Sequence, residues 1–283
     1  MKRWSHWFRV AVVWMAFWLG VSGVSGKDAQ AILFVVLDPL AKELACACVK
    51  GYGQRDYRKL AARLESALKQ PVSIEFSDDL AETLKLATAG QEVIVVGEQS
   101  RVAQDSKKAG LKSHPICELT DPDGSTTIAG TFVVRASDSA KELKDISGRK
   151  LIFGLADTEQ NHSAVQAALR TAGAETQAKS EKRDAYNIAA LDMLDSSATP
   201  PPVAVIPGYG PRLLEGCGSV KRGELRVIGQ TEPLPFIAVF VADNISAAKR
   251  EKIQKTLLDV KSDAKLLNAI ESRDGFKPIK PEA

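Results

Sequence analysis

The sequence predicts an α/β fold in two lobes, and three observations carry the prediction. From Ile32 onward, short β-rich runs ("ILFVVL", "PVSIEF", "EVIVVG") alternate with stretches of helical periodicity, the βαβαβ pattern of a parallel sheet with crossover helices. After a turn-rich patch, "TDPDGSTTIAG", the alternation starts again with "TFVVRA" and runs through a second α/β series. Length agrees: about 257 residues follow a leading apolar segment, enough for one large core or two small ones.

The leading segment, residues 1–26, has a basic front (Lys2, Arg3, Arg9), an apolar run from Val10 to Leu19, and small residues at Ser22, Gly23, Ser25 and Gly26. That is the layout of a secretory signal, with maturation expected near Lys27, and the run is short for a bilayer span of about 20 residues. The segment holds all four tryptophans and three basic residues but no acidic one. Without it the printed excess of three positive charges disappears, leaving 35 Lys and Arg against 35 Asp and Glu. A neutral chain with no basic block excludes nucleic acid as the expected partner. The expected location is therefore the periplasm, as a soluble monomer after signal cleavage.

The elements follow in order. Tyr57, Leu60, Ala61, Leu64 and Leu68 recur at helical spacing after the first strand. Val72, Ile74 and Phe76 alternate as in a half-buried strand, and Asp78 or Asp79 opens a helix that reaches toward Gly90. "EVIVVG" reads as a buried strand. In such sheets ligands bind at the carboxyl ends of the strands, where Cys46, Cys48, Glu98, Gln99 and Ser100 fall. The second series contains "SAKELKDISGRKLIFG", a helix closing near Gly173, another around Ile188 to Leu194, the strand "VAVIPG" and a short helix ending near Gly216. "PFIAVFVAD" is again a strand, and Ile253, Leu257, Leu258, Leu266, Leu267 and Ile270 mark two terminal helical faces.

Three stretches, "RDYRKLAARLESALKQPVSIEFSDDLAETLKLATAGQEVIVVG", "GTFVVRASDSAKELKDISGRKLIFGLADTEQNHSAVQAALRTAG" and "LRVIGQTEPLPFIAVFVADNISAAKREKIQKTLLDV", together resemble the phosphonate-type substrate-binding proteins of ABC importers. The resemblance spans roughly Ile32 to Ile279. It implies a two-lobed periplasmic-binding-protein fold, each lobe a mostly parallel sheet flanked by helices. The lobes would be residues 27–131 with 237–283, and 132–236. Two crossover strands near Gly130 to Arg135 and near Arg226 to Phe236 would join them. It also implies a small oxyanion of the phosphate, phosphite or phosphonate class held in the cleft by helix amino termini, and an ABC permease as partner. Where the family carries a D-P-x-S-T-S-G run, this chain has Asp157, Thr158, Glu159, Gln160, Asn161, His162 and Ser163. The tyrosines that usually follow the second strand and end the third are Leu80 and Val96. The fold carries over; the ligand's identity does not come with it.

Candidate ligand residues are read from this sequence. Asp157 and Gln160 form a capping-box-like helix start, whereas Asn161, His162 and Ser163 go beyond what a cap needs. Thr126 and Thr127 offer hydroxyls at the mouth of the first crossover, in a turn whose other residues are ordinary turn formers. Ser100 stands at a strand end. Arg55 is an anion clamp by type and place. Tyr209, between Gly208 and Gly210, is a candidate ligand wall.

Cys46 and Cys48 are open to several readings: small buried residues, partners of Cys117 or Cys217 in a disulfide, a strained and labile bridge to each other, or, with His162 from the other lobe, a site for copper or zinc. That last reading makes the protein a periplasmic metal sensor or accessory protein. No catalytic or cofactor motif stands out: there is no G-x-S-x-G elbow, phosphate loop or H-E-x-x-H. A binding protein without cofactor is expected, not an enzyme.

Overall fold

The computed structural model describes residues 30–45, 53–175 and 180–279. The expected export segment and both residues of the C-A-C pair lie outside the described residues. In chain order the first lobe contains β1 (Ile32–Leu37), α1 (Tyr57–Leu68), β2 (Val72–Phe76), α2 (Leu80–Leu84), β3 (Val93–Glu98), α3 (Gln99–Lys108) and β4 (Ser113–Leu119). β5 (Thr127–Ile128) leads to β6 (Gly130–Arg135), β7 (Leu151–Phe153), α4 (Glu159–Thr171), β8 (Glu181–Lys182), α5 (Tyr186–Asp195), β9 (Val203–Pro207), α6 (Gly210–Gly216) and β10 (Leu225–Gln230). β11 (Leu234–Pro235) returns the chain to β12 (Ile237–Ala242), α7 (Ala247–Leu258), α8 (Ala264–Ala269) and β13 (Phe276–Pro278).

Two sheets result, with strand orders β13-β4-β12-β3-β1-β2 and β10-β6-β9-β7-β8, and a small β11-β5 ribbon stands apart from both. The sequence reading expected mostly parallel sheets; each is mixed. β1 pairs parallel with β2 and β3, and β7 with β8 and β9, whereas the remaining pairings are antiparallel. The chain passes between the lobes in both directions, so β12 meets β3 from the opposite end. The crossings also move. β6 and β10 are partners within the second sheet, and the ribbon is the pairing of Leu234 with Ile128 and Pro235 with Thr127.

β1 is buried along its whole length, which explains its unbroken apolar run. Its two faces serve two cores. Ile32, Phe34 and Val36 pack with Leu60 and Leu64 of α1 and Ile253 and Leu257 of α7. Leu33, Val35 and Leu37 pack with Leu80 and Val102 on the other side. β6 does the same in the second lobe, with Phe132 and Val134 toward Val165 and Leu169 of α4, and Val133 toward Ala189, Ala190 and Met193 of α5. Burial of each large side chain contributes about 1.5–3 kcal/mol. β2, at the sheet edge, keeps the alternation read from sequence, with Val72, Ile74 and Phe76 half-buried and the intervening residues exposed.

Among the described residues Cys117 and Cys217 are free and do not pair with each other; the partners the sequence offered them, Cys46 and Cys48, lie outside those residues. Cys117 lies in the main core, where burial pushes its thiol up to about 12. Among the described residues, no helix is long and apolar enough to cross a membrane.

Candidate functional site

The carboxyl ends of β1 and β3 point to the junction between the lobes. Just past β1, Asp38 is fully buried; its Oδ1 accepts from the backbone N–H of Leu40 at 2.8 Å. Its Oδ2 accepts from Arg55 Nη1 at 2.7 Å and from the Tyr57 hydroxyl at 2.5 Å. Arg55 is 1% exposed. Arg55, the expected anion clamp, is buried against Asp38, because the turn after β1 places a carboxylate beside it and the core closes over both. Burial, then the Asp38 charge, holds the Tyr57 phenol well above its ordinary value. The knot fixes the turn after β1 to the start of α1.

At the end of β3, Glu98 reaches across the junction. Its Oε1 accepts from Asn161 Nδ2 of α4 at 3.2 Å and from the Ser100 hydroxyl at 3.4 Å. Asn161 Nδ2 also donates to the carbonyl of Ala156 at 2.9 Å, which aims the amide. A second bridge runs from Gln104 Nε2 of α3 to the carbonyl of Asp157 at 3.0 Å. Burial pushes the Glu98 carboxyl above the ordinary range; the bonds from Asn161 and Ser100 and the Arg101 charge oppose this, and the Asp38 charge reinforces it. Two of the sequence-predicted residues, Ser100 and Asn161, thus meet on one carboxylate.

The start of α4 differs from the sequence reading in one respect. Thr158, not Asp157, is the cap, its hydroxyl accepting from Asn161 N at 3.3 Å. Asp157 is exposed instead, and its Oδ1 accepts from His162 Nε2 at 2.7 Å and Lys182 Nζ at 2.8 Å. Lys182 first and His162 second hold its carboxyl below the usual range. His162 lies flat on Phe153, with ring centres 4.3 Å apart. Ser163 is exposed on the next position.

The opposite side of the junction is apolar. Tyr209 is buried between Tyr186, edge-on at 5.5 Å, and Phe236 at 5.8 Å. It shares one core cluster with Leu213 of α6 and with Leu40 and Ala41 of the first lobe. Gly208 donates its N–H to the carbonyl of Ala129 at 2.9 Å, and a Cβ there would stand 3.2 Å from that oxygen, a tight fit. On the ribbon, the carbonyl of Thr126 accepts from Phe236 N, and the Thr127 hydroxyl meets that of Ser125 at 3.1 Å.

The structure thus gathers Ser100, Asn161, Asp157 and His162 on the rim where the lobes meet. It buries Arg55 in the knot and Tyr209 in the aromatic stack. Sequence reasoning passed over Asp38, Gln104 and Lys182 and gave Glu98 only a place at a strand end. Lys182 sits on a two-residue strand that leaves no periodic signal. A cavity of about 560 Å³ opens elsewhere, on the helical face of the first lobe among Lys59, Arg63, Thr256, Asp259 and Asp263, with no second-lobe residue in its wall. Among the described residues, no group of three or more His, Cys, Asp or Glu side chains could hold a metal.

Comparisons with known proteins agree with this architecture. The binding-protein component of a phosphonate ABC transporter from Pseudomonas aeruginosa superposes with a TM-score of 0.63 at 11% identity, covering 89% of this chain and 82% of that one. PhnD1 from Prochlorococcus marinus, solved with methylphosphonate, gives 0.62 at 12% identity over 89% and 93%. A Xanthomonas citri protein solved with ATP gives 0.62 at 14% identity over 89% and 92%. At such identities the likeness shows the two-lobed fold. No curated protein matches the chain. The profile of the family described as "ABC transporter, phosphonate, periplasmic substrate-binding protein" matches residues 53–283, most of the sequence, and the chain belongs to that family.

Proposed function

We propose that this protein is the exported, soluble capture component of an ABC importer, holding a small oxyanion of the phosphate, phosphite or phosphonate class between its lobes. The observation that carries the reading is the contact of the first turn of α4 with the carboxyl end of β3, made through Asn161 and Glu98. A helix amino terminus presents outward N–H groups and a positive dipole end, which suits an anion. His162 and Lys182 add donors that now rest on Asp157; an incoming oxyanion competes with that carboxylate for both. Ser100, Thr126, Thr127 and Ser163 supply hydroxyls around the same rim, with Tyr209 behind it as a wall and Arg55 behind that, paired with Asp38.

The proposed lobes are residues 27–131 with 237–283, and 132–236, hinged at the β5–β11 ribbon. A ligand that touches both lobes favours the closed form by its differential affinity for it. The closed monomer is what the permease would recognise. Methylphosphonate in the Prochlorococcus neighbour belongs to the proposed ligand class. Nothing in the described residues favours the copper or zinc reading, whose two cysteines lie outside them.

Isothermal titration with phosphate, phosphite and methylphosphonate tests the proposal, with small-angle scattering on the same samples. Saturable binding and a smaller radius of gyration are expected. Absence of binding by all three overturns the oxyanion reading.

A further inference from the structure

We infer that the cavity on the helical face of the first lobe is a second ligand site, separate from the cleft. Its ligand is a small dicarboxylate that also carries an ammonium group, the chemistry of an acidic amino acid. α1 gives one stripe to the core, with Tyr57, Leu60, Ala61 and Leu64 buried. Lys59, Arg63, Ser66 and Ala67 share a second stripe, since their spacing of four, three and one keeps them on one helix face. Facing that stripe, α7 ends at Leu258, a single turn of 3-10 helix runs over Asp259–Ser262, and Asp263 caps α8. The cavity of about 560 Å³ lies between the stripe and this turn, and no second-lobe residue forms part of its wall.

Arg63 is the unsatisfied group in that wall. Its Nε is buried with no hydrogen-bond partner among the described residues. Its Nη1 stands 3.6 Å from Asp263 Oδ2, beyond hydrogen-bond length, while Asp263 Oδ1 accepts from Leu266 N at 3.0 Å as the helix cap. A guanidinium presents its donors in a fixed fork that a carboxylate matches with two parallel bonds. A carboxylate entering the cavity therefore supplies the acceptor that Nε lacks. Charge selects the rest of the ligand. The wall holds three cations, Lys59, Arg63 and Lys265, against two carboxylates, Asp259 and Asp263, an excess of one positive charge. Lys59 reaches only Asp56, at 3.7 Å, and neither Lys265 nor Asp259 has an ion pair among the described residues. The two lysines can take a second carboxylate and Asp259 an ammonium, which together complement a ligand of both signs with one net negative charge. A plain dicarboxylate leaves Asp259 opposing it, and a neutral amino acid leaves the lysines unmatched. Because the wall belongs to one lobe, occupancy does not depend on lobe closure.

Isothermal titration of the purified protein at fixed pH near neutrality with glutamate, aspartate, glutarate and glutamine tests this. Glutamate or aspartate is expected to bind saturably, and about tenfold more tightly than glutarate, which lacks the ammonium, or glutamine, which lacks the second carboxylate. Arg63→Gln should weaken that binding by about tenfold or more, and so should Lys265→Gln, a change at an exposed position that leaves the fold intact. Asp259→Asn should erase the advantage of glutamate over glutarate. Asn161→Ala, in the cleft, should leave glutamate binding within about threefold of wild type. The inference is overturned if neither acidic amino acid binds, or if glutarate binds as tightly as glutamate. Binding unchanged in Arg63→Gln or in Lys265→Gln overturns it too, as does binding that Asn161→Ala abolishes. None of these results touches the oxyanion reading of the cleft, which stands or falls on its own titration.

Discussion

Replacing Arg55 with methionine separates a structural cation from a ligand clamp. Arg55 and Asp38 are 1% and 0% exposed, and the guanidinium meets the carboxylate at 2.7 Å. Methionine approximates the buried volume but takes the cation away from the buried Asp38 carboxylate, which among the described residues keeps the Tyr57 hydroxyl and the Leu40 N–H. Stranding one member of a buried ion pair costs about 3–5 kcal/mol. For a chain of this size that corresponds to a melting temperature lower by roughly 6–20 °C, taking about 2–4 °C per kcal/mol. All four tryptophans fall in residues 1–26, so urea unfolding of a chain starting at Lys27 is best followed by far-ultraviolet circular dichroism. The double variant Asp38→Asn/Arg55→Met is the control. Its amide still accepts from Leu40 and can donate to the Tyr57 oxygen, so no charge is left unpaired, and most of the loss should return. Oxyanion affinity, measured where Arg55→Met is still folded, should stay within about threefold of wild type, because the guanidinium is buried against Asp38. Two results would refute the reasoning: a stability loss under about 1 kcal/mol together with abolished binding, which would make Arg55 a clamp, or a double variant no more stable than the single one.

Three further outcomes are expected. The raised Glu98 carboxyl means that the folded chain holds its proton over a pH window in which the unfolded chain has released it. Glu98 therefore weakens the fold progressively as pH rises through that window, and Glu98→Gln should gain stability relative to wild type from acid toward neutral pH in urea melts. An equal difference at every pH would contradict this. Asp157→Asn removes the charge that holds Lys182 and His162, so phosphate affinity should rise several-fold; a fall would mean that Asp157 itself serves the ligand. In a Cys46→Ser/Cys48→Ser background, maleimide at mildly alkaline pH should label Cys217 quickly and Cys117 only after denaturation, since burial keeps the Cys117 thiol near 12. Rapid labelling of both in the native state would show that the core around β4 opens.

Sequence alone was enough for what depends on short-range pattern. The unbroken apolar run of β1 requires burial on both faces, the spacing of Tyr57, Leu60, Ala61 and Leu64 requires one helix face against it, and the restart of the alternation after the turn-rich patch requires a second sheet. Each is a repeat of two or 3.6 residues, legible without knowing what lies opposite. Asn161 and Ser100 could be placed at a helix start and a strand end for the same reason. Tertiary structure decided everything that depends on which groups meet. Arg55 has the same residue type whether it faces water or Asp38, and only the closing of the core over β1 and α1 assigns it to the carboxylate. Thr158 takes the cap from Asp157 because Lys182, distant in sequence, and His162 hold that carboxylate outward. Glu98 looks like an ordinary strand terminus until Asn161 arrives from the other lobe. Burial, charge pairing and hydrogen-bond completion are properties of pairs, and pairs remote in sequence leave no periodic trace in a single chain.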